Sequence, residues 1–158
     1  MMGNYLDALE QSLVEKSKVL DQIQEYNSRQ EEIFKSEIPE LALFDSYVEE
    51  KGQLIERLNK LDEGFEILFD SVKKELDSNR PKYQEHIKRL KQLVSEVMEK
   101  SVTVQAQEQR NKKLVEEFFS KEKSGIGQGR RNSKAAYDYY KTMNKANVVS
   151  PQFMDKKK

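Results

Sequence analysis

The chain has no cysteine. That removes any disulfide framework, any thiolate metal site and the main signature of a small secreted protein. It has one histidine, His86, and three prolines. No apolar run approaches the roughly 20 residues that span a bilayer, so no membrane insertion is expected. The opening Met1-Met2-Gly3-Asn4-Tyr5 lacks the basic and apolar regions of a signal peptide, and a cytoplasmic location is expected. Hydrophobic residues make up 36% of the chain and charged residues 35%. Such a balance argues against a thick core and suits long helices with a narrow apolar seam. A sequence pI near 6.7 gives no reason to expect nucleic-acid binding by the whole chain, although its basic end alone would attract an anion.

The formal net charge of zero is a cancellation. Residues 1–120 carry 18 Lys/Arg and 25 Asp/Glu, while residues 121–158 carry 10 and 3. An acidic body precedes a basic, aromatic tail, which suggests a chain built to hold a partner.

Three heptad-patterned segments make up the body. In the first, about 4–34, Leu6, Leu9, Leu13, Leu20, Ile23 and Phe34 keep steps of three, four or seven. Tyr5, Val19, Tyr26 and Ile33 form a second row beside them, giving the wide stripe of a bundle helix. Lys16, Asn27 and Gln30 fall on the first row, where they weaken the seam and could set register. Residues 35–38 read as a turn, with Ser36 a candidate N-cap and Pro39 in a first helical turn.

The second segment runs to about residue 77. Phe44, Val48, Ile55, Leu58, Phe65, Phe69, Val72 and Leu76 form one row, and Leu54, Leu61 and Leu68 the next. Gly52 and Gly64 lie inside it, each costing about 1 kcal/mol in a helix interior. They are read as tolerated or as points of close helix approach, with a break at Asp62-Glu63-Gly64 as the alternative. Asp77-Ser78-Asn79-Arg80-Pro81 is the strongest turn signal, with Asn79 as N-cap and Pro81 in the next first turn.

The third segment spans about 82–121. Its stripe is Tyr83, Ile87, Leu90, Val94, Val97, Val104, Val115 and Phe118, flanked by Leu93, Met98, Leu114 and Phe119. Between Gln105 and Lys113 the stripe fades into Gln and Asn, a stretch expected to face water or a partner. Rods of about 30–40 residues are about 45–60 Å long, and short turns make neighbours antiparallel. The expected fold is all-α: an elongated antiparallel three-helix bundle over residues 1–122. A Gly-rich linker at 123–134 and an amphipathic partner-binding tail at 135–158 follow. Homo-oligomerisation and domain swapping stay open.

The linker holds three of the six glycines, Gly125, Gly127 and Gly129, ahead of Arg130 and Arg131. A phosphate-binding loop would need a preceding strand and a βαβ setting, and a long helix precedes this one. A flexible hinge is the better reading. His86 is read as an ordinary exposed histidine, since a metal or catalytic role needs converging partners and Glu85 points elsewhere on a helix. The pairs Glu49-Glu50, Asp62-Glu63 and Glu116-Glu117 read as a solvated face. No catalytic residue, metal site or cofactor is expected.

The tail crowds Tyr137, Tyr139 and Tyr140 into four positions and continues with Met143, Val148, Val149, Phe153 and Met154. About 13 residues of helix are too few to be stable alone in water. One reading folds this series back over the bundle. The other orders it on a partner, with Tyr supplying contact area at low entropy cost and Met adapting to varied surfaces. Lys134, Lys141 and Lys145 would also suit a membrane-surface helix, against which Asp138 and the short length argue.

The stretch Lys51-Gly52-Gln53-Leu54-Ile55-Glu56-Arg57-Leu58-Asn59-Lys60-Leu61-Asp62-Glu63-Gly64-Phe65 resembles the second helix of FlgN-type flagellar export chaperones. Gln109-Arg110-Asn111-Lys112-Lys113-Leu114 and the endings Ala135-Ala136-Tyr137-Asp138-Tyr139-Tyr140 and Gln152-Phe153-Met154-Asp155 are similar to that family too. The resemblance covers nearly the whole chain and is nearest the clostridial branch. No single motif is specific, and the joint order of helices, hinge and aromatic tail carries it. It implies a cytoplasmic chaperone that shields hook–filament junction (hook-associated) proteins and delivers them to the type III export gate. Carried over by position, the cargo residues are Tyr137, Tyr140, Met143, Val148 and Val149, with Phe153 and Met154 of the same series. Tyr139 or Tyr140 would meet the gate's cytoplasmic domain. The Gly-rich hinge departs from the more continuous helices of enterobacterial members. A structural coiled-coil scaffold with no carrier role is the alternative.

Overall fold

The computed structural model describes residues 2–121. The three heptad segments are three long helices: α1 (Met2–Ile33), α2 (Leu41–Ser78) and α3 (Gln84–Lys121). All eight residues of the α2 row are buried. So are Leu6, Leu9, Leu13, Leu20 and Ile23 of α1, and Leu90, Leu93, Val94, Val97, Val104 and Val115 of α3. Together they form one continuous core.

Cross-helix bonds set the directions. Ser12 Oγ donates to the Leu61 carbonyl and Gln30 Nε2 to the Phe44 carbonyl, so α1 and α2 run antiparallel. Lys100 reaches Ser17 and Asn111 reaches Asn27, so α3 runs parallel to α1. α1 packs closely on both neighbours, while the α2 and α3 backbones stay further apart. Long side chains span that wider seam.

Both turns differ from the sequence expectation in how they are made. Ser36 does not cap α2, which starts at Leu41 with Glu40 in the N-cap position and no side-chain cap. Ile38 precedes Pro39, and the residue before a proline is disfavoured in the helical region, which works against a helix running from 36 through 39. Ser36 Oγ instead donates to the Ile38 carbonyl. Asn79 closes α2 rather than opening α3: its N–H donates to the Glu75 carbonyl at 3.1 Å. Pro81 sits in the turn at 79–83, and α3 starts at Gln84.

Some stripe and flank positions are less buried than their rows indicate, with Tyr83, Ile87 and Phe118 of α3 only half-buried. Tyr5 is 41% and Met98 37% exposed, and Phe34 is only half-buried. α2 runs unbroken through Gly52 and Gly64, and a Cβ at either would meet nothing within 4 Å. Both glycines are thus merely tolerated, and neither is a close-approach point.

Candidate functional site

The core is apolar towards the N-terminal end of α1 and polar where α1 nears its C-terminus. Lys16 is a first departure. Its side chain is 2% exposed and its ammonium reaches the bundle edge to meet Asp62 at 2.7 Å. Burial pushes the Asp62 carboxyl up, and Lys16 opposes that shift.

A fuller polar layer follows. Lys51 of α2 is 0% exposed, and its ammonium donates to Glu108 Oε1 of α3 at 2.6 Å and to Asn27 Oδ1 of α1 at 2.7 Å. Asn27 Nδ2 donates to Gln107 Oε1, and Asn111 Nδ2 donates to the Asn27 carbonyl. Gln30 is buried beside them. Glu108 Oε2 and Gln30 Oε1 have no hydrogen-bond partner. Burial holds the Lys51 ammonium below the usual lysine range, and the charge of Glu108 works against that. Lys16, Asn27 and Gln30 therefore do interrupt the seam, as their row position indicates. The stretch 105–113 does not simply face outward: Glu108 and Asn111 point into the bundle. A carboxylate and an ammonium in contact resemble an acid–base pair, but at 0% exposure no solute reaches Lys51.

Beyond the polar layer the bundle closes on phenylalanines. Phe34 lies 5.2 Å from Phe44 and 5.7 Å from Phe118 between ring centroids, and Phe118 lies 5.4 Å from Phe119. α3 ends at Lys121, close to this cluster.

His86 has more company than its sequence neighbours indicate. Its Nδ1 lies 4.0 Å from Glu10 Oε1, and Asp7, one turn earlier on α1, joins them within 4.8 Å. Asp7 is exposed and the His86 side chain is 37% exposed, so the trio is a hydrated surface cluster tying the start of α3 to α1. On another face, an open groove of about 670 Å³ runs between α1 and α2, lined by Tyr26 and Leu54 together with Arg29, Arg57, Glu25 and Glu50. Its mixed charges select no one ligand.

The residues expected to hold cargo or the gate, Tyr137, Tyr139, Tyr140, Met143, Val148, Val149, Phe153 and Met154, lie outside the described residues. So do the Gly-rich segment and its two arginines. No helix among the described residues is long and apolar enough to cross a membrane. A family model described as FlgN protein matches residues 1–142. Neither a curated protein nor a solved structure matches the chain.

Proposed function

Since this chain belongs to the FlgN family, the chaperones of flagellar type III export that bind hook-associated proteins, we propose that it captures a hook–filament junction protein through its own C-terminal residues and delivers it to the export gate in the cytoplasm. The family match over residues 1–142 carries this reading. It takes in Tyr137, Tyr139 and Tyr140 and stops before Met143, Val148, Val149, Phe153 and Met154.

The physics is that of a carrier. Junction proteins expose apolar coiled-coil surface until they assemble, and a helix laid on that surface hides it from aggregation. A segment that orders on binding gives up several kcal/mol of gross interaction to do so, which leaves moderate affinity and allows release. Tyr137, Tyr140, Met143, Val148, Val149, Phe153 and Met154 supply the apolar contacts, and Tyr139 or Tyr140 meets the gate's cytoplasmic domain. The three helices act as the handle that carries them.

The test is titration calorimetry of a purified junction protein against the full chain and against a variant lacking residues 134–158. Binding is expected to vanish in the truncated form while the helical circular dichroism of the bundle persists. Equal affinity in the two forms would remove the assignment of cargo to the C-terminal residues.

A further inference from the structure

We infer that the C-terminal half of α3, residues 105–121, is a gate that opens at the Lys51–Glu108 layer and bares a seat on α1 and α2 for a helix of a bound protein. The distribution of apolar anchors motivates this. α3 buries Leu90, Leu93, Val94, Val97 and Val104 before residue 105, and Val115 is its one buried hydrophobic after it. The other buried side chains of that half are Glu108 and Asn111. Phe118 and Phe119, which close the end, are only half-buried.

Polar contacts hold two helices together more weakly than apolar burial of the same volume, because each is exchanged for water on opening. Here the exchange is favourable at particular atoms. Glu108 Oε2 is unpaired in the closed state, and the Lys51 ammonium has been taken out of water. Opening hydrates both. The first half of α3 loses apolar burial if it lifts, so the step in stability falls between Val104 and Glu108.

The seat has a definite chemistry. Ile33 on α1 and Phe44 and Val48 on α2 are buried apolar residues in register with this half of α3. Lys51 lies among them. A helix that replaces α3 must therefore be amphipathic, and a carboxylate where Glu108 stood suits it best, since Asn27 Oδ1 is a neutral acceptor and leaves the Lys51 charge unbalanced. Residues 105–121 come shortly before the residues assigned to cargo capture in the sequence, so a protein held by those is tethered to the gate it would displace. The identity of the bound protein rests on the carrier reading above, but the gate itself does not.

Hydrogen exchange of the full chain tests the gate. Residues 105–117 are expected to exchange as a unit, opening about tenfold more often than residues 87–104. The double variant Lys51→Met, Glu108→Leu is expected to slow 105–117 by about tenfold and leave 87–104 unchanged. Equal protection on both sides of Val104, or equal slowing along all of α3, would overturn the gate. The seat is tested by tying the gate shut. In a chain otherwise free of cysteine, Glu31→Cys and Arg110→Cys replace a cross-helix ion pair and can be joined by a reducible bis-methanethiosulfonate. Binding of a purified junction protein is expected to weaken about tenfold when the link is made and to recover on reduction. Unchanged binding in the linked protein would overturn the seat. Deletion of 134–158 leaves 105–121 in place, so failure of the carrier reading and failure of the gate read out separately.

Discussion

Lys51 and Glu108 show how one pair of side chains can matter more when broken than when removed. Their contact is 2.6 Å and almost wholly out of water. Replacing Lys51 alone by Met leaves Glu108 as a buried, unpaired carboxylate, and this is expected to cost about 3–5 kcal/mol in urea unfolding. Replacing both by Met and Leu is expected to be neutral or to stabilise by about 1–4 kcal/mol, because no buried charge is then left. A double variant as unstable as the single one would mean that the pair supplies net stability. Asp45 is a simpler case. Burial pushes its carboxyl above the ordinary aspartate value of 3.8, and its Oδ1 has no hydrogen-bond partner. Between 3.8 and the raised value the folded state binds more protons than the unfolded one. This group's contribution to stability therefore rises as pH falls through that window, and the cost of keeping it ionised is present in full above it. Asp45→Asn is expected to raise the urea midpoint at neutral pH and to flatten the stability curve over the acidic window. A midpoint that falls at neutral pH would show that the carboxylate has a favourable role.

At the scale of the helix, α2 separates what its sequence displays from what it conceals. Its eight-residue apolar row was fully legible, because 3.6-residue periodicity and burial are the same fact seen twice. Lys51 lies on the same face and is just as buried, yet a lysine there reads as surface until a partner from another helix is known. The same holds in α3. Glu108 and Asn111 looked like the end of a stripe because their partners, Lys51 and the Asn27 carbonyl, are distant in sequence. Pro39 and Pro81 mark the turns, but Ser36 and Asn79 follow the helix before the proline and do not cap the one after it, since a small polar residue beside a proline signals a boundary without saying which helix it closes. Of the candidate site, only the polar residues on the α1 row, Lys16, Asn27 and Gln30, could be picked out in advance. Gly64 yields a prediction at this scale. It is exposed in mid-helix, and an added Cβ would meet nothing within 4 Å. Gly64→Ala is expected to stabilise the protein by about 0.5–1 kcal/mol, read as a rise in melting temperature, because Ala loses less backbone entropy on folding. A fall would point to a conformational need for glycine in α2.

For the whole molecule the question is whether the bundle depends on the rest of the chain. Its buried apolar residues run from Leu6 to Val115 and form one cluster. The described residues thus hold a continuous core of their own. The charge distribution works in the opposite direction, since an acidic body loses a basic counterweight when residues 122–158 go. Exposed charges more than a Debye length apart, about 8 Å at physiological salt, are largely screened, so core closure should decide. A fragment ending at residue 121 is expected to melt cooperatively within about 4 °C of the full chain, the shift that about 1 kcal/mol produces in a domain near this size. In low salt the fragment should lose more stability than the full chain, because its uncompensated acidic groups then repel over a longer range. Differential scanning calorimetry of both forms at two ionic strengths checks this. A fragment that melts far below the full chain even at high salt would mean that later residues complete the core, and those residues would then be less available to grip a partner.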